Sequence, residues 1–512
     1  MKQPPAMDLP SSRLSRIPGL RPILISAAVL VPCFWQPIIS GFDLQSHLYN
    51  AWLVTLIENG SIHGLSIGHQ STNVLVDILL SRLLRAFGVS AAERVVCCAI
   101  VLTFFWGAFS FISAVRGQRC YWLAPWLAVI SYGYVFQAGL LNYYLACGIV
   151  FWVFAAFWVR GIGWWFVAAI PLLFLAYLAH PMPVLWLVGM VSYCWVAKCA
   201  PNRLRMVLFL VCVAMLLAIR IYLSSHYMTR WTWGQLTFTT GLDQILLNGW
   251  HYVLPAIALF LFCVILLSQP ENRRHTLTGV AAQAYYLTAI AIAVLPTAIL
   301  SSTYAPAASL IADRLSLFAA ILLLALLSHS TPRRWYLYVG LAGAAIFFGA
   351  LYVDVSAQAR SEARIASLVA TLPDGARVVS IAGSQPGVKD SVAAPRTGPL
   401  TRIGNRVVAL CCSRLSANHL LSRACVGHCF DYANYEPATG QFRIHPEPGN
   451  PVVMSTFFEV GSIAVGNFAI KPSYLPLYGL IICGSDPGSV FVRPLVAGET
   501  RATVCGGIPV QK

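Results

Sequence analysis

Long apolar runs separated by short basic groups set the pattern of this chain. The runs fall at 22–40, 95–115, 121–138, 141–159, 163–179, 183–199, 205–223, 250–268, 279–300, 315–330 and 335–353. Each is close to the roughly 20 residues an α-helix needs to cross a bilayer. The pattern predicts a polytopic all-α membrane domain over 22–354, with about 11 transmembrane helices. The stretch 1–21 is polar and basic (Arg13, Arg16, Arg21) and reads as a cytoplasmic tail. The first run has no small-x-small cleavage site and more runs follow it, so it reads as an uncleaved helix rather than a signal peptide.

A long loop, 41–93, separates the first two runs. Within it, 44–57 and 74–87 are amphipathic at helical spacing, with Leu75, Ile78, Leu79, Leu83 and Leu84 on one face. Such segments are expected along the membrane surface. From residue 355 the pattern changes: charges rise, and Pro and Gly punctuate mixed helix and strand signals. A helix over 361–372 ends at Pro373-Asp374-Gly375, and strands are predicted at 377–381, 452–457, 479–483 and 490–496. The expectation is a C-terminal α/β or α+β domain over 355–512.

Composition agrees. Hydrophobic residues make up 58% of the chain and charged residues only 10%, with a mean hydropathy of +0.71, whereas soluble domains carry about 25% charged residues. The net charge of +16 suggests nucleic acid at first, but the cations form no basic stripe, so no nucleic-acid partner is expected. Topology explains them better. Arg116/Arg119, Arg160, Lys198/Arg203/Arg205, Arg273/Arg274 and Arg333/Arg334 occupy every second loop, all short, as cytoplasmic loops do. Arg82, Arg85 and Arg230 fall in the opposite loops. An odd number of spans from a cytoplasmic N-terminus places 355–512 outside the cytoplasm. Six of the 15 cysteines lie there (Cys411, Cys412, Cys425, Cys429, Cys483, Cys505). That placement favours disulfides, although Cys425-x3-Cys429 with His428 also has the elements of a zinc site.

The candidate chemistry starts at Asp43 and His47. A helix beginning there turns positions i and i+4 to one side, so both can act on one ligand. Asp43 serves either as a general base for an acceptor hydroxyl or amine, or as a helix N-cap. Two ligands do not make a metal site. Other polar residues map to the same predicted face: Asp77 in the long loop, Asn142 and Tyr143 opening one run, His180 closing another, Arg220 near the end of a third, and Asp313-Arg314 at the start of a fourth. An ionisable residue inside a span is a functional candidate. Snorkelling accounts equally for Arg220, and interface anchoring for Asp313, Arg314, Asn142 and the tyrosines.

Those residues stand in Phe42-Asp43-Leu44-x2-His47-x-Tyr49-Asn50-Ala51-Trp52, Gly139-Leu140-Leu141-Asn142-Tyr143-Tyr144, Ala179-His180-Pro181 and Ala312-Asp313-Arg314. Over about 20–350 the layout resembles the GT-C superfamily of integral membrane glycosyltransferases, most of all its bacterial members without an assigned substrate. The resemblance implies a polyprenyl-phosphate sugar donor, a glycan, lipid or protein acceptor, and transfer on the periplasmic face of the inner membrane. It casts Asp43 as base, with His47 beside it, and Arg220, Arg314 or His180 near the donor phosphate. Asp43 is followed by Leu44 where many members carry a second acidic residue, which leaves a divalent metal open. Two other classes compete: a non-enzymatic membrane protein (a lipid-linked precursor transporter or an envelope assembly scaffold), and an O-acyltransferase using His47 or His180. A transporter calls for midplane charges and repeated halves, which the sequence does not display.

Overall fold

A computed structural model describes residues 19–39, 41–68, 70–247, 250–269, 278–300, 308, 310–382, 414–431, 444–446, 472, 475–482 and 490–499. Helices dominate, as expected where backbone groups must find partners within their own segment. In order they are α1 (Leu20–Leu30), α2 (Phe42–Glu58), α3 (Leu75–Phe87), α4 (Val89–Arg116), α5 (Ala124–Ser131), α6 (Tyr134–Gln137), α7 (Leu141–Arg160), α8 (Trp165–Ala179), α9 (Pro181–Cys199), α10 (Asn202–His226), α11 (Val253–Leu267), α12 (Val280–Val294), α13 (Ile311–Leu327), α14 (Arg334–Val369) and α15 (Arg414–Cys425). By length and composition α4, α7, α9, α10 and α14 are apolar enough to cross a membrane. Shorter apolar helices are α1 with its 3-10 extension to Phe34, α8, α11 and α12. The described chain thus carries a mostly helical body with five helices that could span a membrane.

Two expected runs are not continuous helices. The run at 121–138 is divided into a 3-10 turn, Tyr121–Leu123, and the short helices α5 and α6. At 1.5 Å per residue neither helix approaches the thickness of a bilayer. The first run is regular helix only to Leu30.

Apolar composition does not by itself assign a helix to core or rim. In α13, 15 of the 17 residues are buried, whereas α10 buries none of its 25. The centre of the body is instead set by the α4–α7 crossing, where small residues let two backbones meet. A Cβ on Gly148 would stand 2.7 Å from the Phe104 nitrogen, and one on Gly107 would collide with the Gly148 carbonyl. Aromatic rings fill the rest of the seam, with Phe111 and Phe154 stacked at 4.6 Å.

The two loop helices differ from the expected surface pair. Nearly all of α2 from Leu44 to Thr55 is buried. Its second half (Tyr49, Leu53, Val54) packs with Ile365 and Val369 at the end of α14, Val378, Leu421 of α15, and Leu480. It is an internal rod rather than a surface helix. In α3 the inward face is Val76, Asp77, Leu80 and Ser81, while Leu79 is 39% exposed. Leu75, Leu83 and Leu84 pack at the edge of the core while Arg82 and Arg85 are exposed, so the buried face mixes two apolar and two polar residues.

Beyond α14 the described chain forms a mixed sheet. With β1 (Leu65–Ile67), β2 (Met228–Arg230) and β3 (Ala298–Leu300) earlier in the chain, the later strands are β4 (Arg377–Ala382), β5 (Phe430–Asp431), β6 (Ile444–Pro446), β7 (Tyr478–Ile482) and β8 (Val490–Pro494). The order is β5-β4-β7-β8: β4 runs parallel to both neighbours, and β7–β8 is antiparallel. Two smaller antiparallel pairs, β1–β6 and β2–β3, complete the strands. The strands expected at 377–381, 479–483 and 490–496 are present within a residue or two. That at 452–457 lies outside the described residues, as do Arg273/Arg274 and the tail before residue 19.

Candidate functional site

Asp43 is placed by backbone packing at the start of α2. The helix is capped by Gly41, so Asp43 stands in the first turn rather than at the N-cap position. The N-terminal dipole still favours its charge there. The Asp43 amide donates to the Ala138 carbonyl at 3.3 Å. Gly139 makes that approach possible. Its φ is +74°, and a Cβ there would lie 2.7 Å from the Leu44 nitrogen and closer still to that of Asp43.

One helical turn on, His47 lies between two carboxylates. Its Nδ1 is 2.7 Å from Asp77 Oδ1, and its Nε2 is 3.6 Å from Asp43 Oδ2. Burial opposes a charge on His47. The carboxylates of Asp77 and Asp43 outweigh it and raise the imidazole well above its ordinary value. Asp77 is fixed from behind by Asn142: Asn142 Nδ2 donates to Asp77 Oδ2 at 3.3 Å and to the Asn73 carbonyl, while Asn142 Oδ1 accepts from the Val76 amide at 2.9 Å. His47 and Asp77 are buried, whereas 39% of the Asp43 side chain is exposed.

Tyr143, next to Asn142, joins the other half of the site. Its hydroxyl donates to the Arg314 carbonyl at 2.6 Å, and its ring lies 5.8 Å from the Arg314 guanidinium and 5.3 Å from the His180 ring. Arg314 is half-buried, and Asp43 and Asp313 both lie within electrostatic range of it. Its Nε is shielded from solvent without a hydrogen-bond partner. His180 caps α9 by accepting the Met182 amide at Nδ1, 3.2 Å away. That acceptor role leaves no proton on Nδ1, and burial together with the Arg314 charge pushes His180 down to about 3. His180 is therefore a neutral imidazole rather than a cationic phosphate ligand.

Asp43, His47, Asp77, Asn142, Tyr143, His180 and Arg314 thus meet at one end of the body, with Asp313 next to Arg314. They bring together the N-termini of α2, α3, α7, α9 and α13. The start of a helix favours an anion, although several of these first-turn amides already have protein acceptors: Asp43 donates to Ala138, Val76 to Asn142 and Met182 to His180. Arg220 lies on α10, none of whose residues is fully buried, and no described hydrogen bond or ring contact ties it to the cluster; its Nη1, like the Arg314 Nε, is shielded from solvent without a hydrogen-bond partner.

Sequence reasoning missed two features. A buried polar group, Asp243, Gln244 and Ser316, braces the start of α13 beside Arg314: Gln244 Nε2 donates to Ser316 Oγ at 2.6 Å, and Ser316 Oγ donates to Asp243 Oδ2 at 2.8 Å. Asp243-Gln244 between apolar residues was the available signal. The second is a buried ion pair, Arg423 Nη2 to Glu93 Oε2 at 2.9 Å, tying α15 to α4. No local signal marks it, because 330 residues separate the partners.

Among the described residues no group of three or more His, Cys, Asp and Glu converges as a metal site. Asp43, His47 and Asp77 form a row, with a hydrogen bond from His47 to Asp77 and an ion-pair contact to Asp43, rather than a converging ligand set, since each imidazole nitrogen already faces a carboxylate. The zinc reading of Cys425 and Cys429 gives way to a disulfide between them, with His428 paired to Asp374 at 2.7 Å. Cys411, Cys412, Cys483 and Cys505 lie outside the described residues. Comparison with protein-family models, curated proteins and solved structures returns no match.

Proposed function

We propose that this chain is a membrane glycosyltransferase that moves a sugar from a polyprenyl-phosphate donor to an acceptor on the periplasmic face of a bacterial inner membrane. In this reading about eleven apolar segments cross or enter the bilayer, and the chain from 355 onward is extracytoplasmic. The observation that carries it is Arg314: a half-buried guanidinium whose shielded Nε–H is unsatisfied, at a helix start, within electrostatic range of the partly exposed carboxylate of Asp43. A half-buried cation with a free donor suits a phosphate, and a partly exposed carboxylate within electrostatic range of it suits a base.

The donor's isoprenoid tail lies among the spans, with its phosphate against Arg314 and the surrounding helix N-termini. Asp43 takes the proton from an acceptor hydroxyl or amine as that atom attacks the anomeric carbon. The bond from the anomeric carbon to the phosphate oxygen breaks, its electrons pass to the phosphate, and the sugar's configuration inverts. Charge develops on the leaving phosphate, where fixed positive groups stabilise it without reorganisation. Tyr143 and His180 pack around Arg314 and hold it in place.

Turnover in lipid nanodiscs tests the reading. The full chain is given a panel of undecaprenyl-phosphate-linked hexoses and aminosugars, and release of undecaprenyl phosphate is measured. Release from at least one donor is expected, with a loss of about 10²–10⁴-fold in Asp43→Asn. Release at the wild-type rate in Asp43→Asn, or none from the panel with wild type, contradicts it.

A further inference from the structure

We propose that Asp77 and His47 are a positioning pair that keeps Asp43 ionised and aimed toward the substrate side of the site. The inference rests on Asp43 being the base, and it assigns roles to two groups that touch no substrate.

Exposure decides which carboxylate meets substrate. Asp43 and Asp77 both reach His47, but the Asp43 side chain is 39% exposed and that of Asp77 only 9%. Asp77 is also fully occupied: one oxygen faces His47, and the other accepts from Asn142. Asn142 in turn is pinned to the α3 backbone at Val76 and Asn73. The row Asn142–Asp77–His47–Asp43 therefore draws on α7, α3 and α2, and each member has one orientation that satisfies its neighbour.

The chemistry follows from charge. With Asp77 behind it, His47 carries a proton and turns an Nε2–H toward Asp43, so Asp43 has a cation on its buried side. On its other side it lies within range of Arg314 of α13. The uncharged neighbours of the row are Asn142 and Tyr143. An opposite charge at this distance favours the carboxylate form. When Asp43 accepts a proton from the acceptor, His47 keeps its own, held by the Asp77 carboxylate. The proton then leaves Asp43 through its exposed face.

A direct test uses pH-difference infrared spectroscopy of the full chain in nanodiscs, with the Asp43 band identified as the one missing from Asp43→Asn. In His47→Gln the Asp43 midpoint is expected to rise by about one pH unit. Adding Asp77→Asn to that variant is expected to raise it no further, because Asp77 acts through His47. An unmoved midpoint in His47→Gln, or a further rise in the double variant, overturns the proposal. Asp77→Asn alone, which preserves side-chain volume, is the second arm. There His47 should titrate lower, toward its ordinary 6.5, and an unshifted His47 overturns the role of Asp77. None of these readings depends on turnover. A shifted Asp43 band together with an active Asp43→Asn enzyme would remove the base assignment and leave the pair standing.

Discussion

Replacing Gly139 by alanine should displace the Asp43 carboxylate, the proposed base, without touching any titratable group. Two penalties combine there. At φ +74° a residue with a Cβ costs roughly 1–2 kcal/mol. The new methyl also meets the Asp43 and Leu44 nitrogens, main-chain atoms that cannot swing aside, and overpacking of that kind costs roughly 1–3 kcal/mol. The expected total is about 2–5 kcal/mol, relieved most easily by pushing the first turn of α2 away from Ala138. Gly60, at the other end of α2, is the internal control. Its φ is +67°, and nothing lies within 4 Å of an added Cβ, so Gly60→Ala carries only the backbone term of roughly 1–2 kcal/mol. Thermal unfolding in detergent and donor turnover in nanodiscs read the two consequences. Gly139→Ala should unfold at the lower temperature of the two and lose most turnover, while Gly60→Ala keeps turnover. Equal effects in the two variants would refute the close approach of Gly139 to Asp43.

Three further outcomes follow from the fold. Gly148→Leu should prevent α4 and α7 from meeting and abolish a monodisperse product on size exclusion, whereas Gly349→Ala, with open space around it, should behave as wild type. Arg423→Ala should leave Glu93 buried without its counter-charge, costing roughly 3–5 kcal/mol and opening α15 to limited proteolysis; Glu93→Gln with Arg423→Met should restore most of the resistance. Because the folded-state pKa of His47 is raised above 6.5, its contribution to stability is complete below pH 6.5 and is lost as pH rises through the folded value. The unfolding temperature should fall on the alkaline side in wild type and fall less in His47→Gln.

Much of the site was legible because polar residues are conspicuous in so apolar a chain. Asp43, His47, Asn142, His180 and Arg314 each interrupt or border an apolar run, and counting spans put them on one face. Hydropathy saw neither depth nor continuity. It gave α10 and α13 similar weight although one is rim and the other core, and it drew 121–138 as one helix where the chain turns at Tyr132–Gly133. Periodicity located α3 but not its most buried face, which carries Asp77 and Ser81 beside Val76 and Leu80. It also missed that α2 is buried all round, because its cover comes from β4, β7 and α15, hundreds of residues later. Arg220 shows the converse: a cation at a plausible depth, on a helix that packs at the edge.

The most direct measurement is a cryo-electron-microscopy structure of the full chain in nanodiscs with undecaprenyl phosphate. The phosphate should lie within hydrogen-bond reach of the Arg314 guanidinium, with Asp43 facing the open space beside it and Arg314→Ala losing the density. Phosphate density at Arg220 or elsewhere, with the Arg314 Nε still unpaired, would contradict the account.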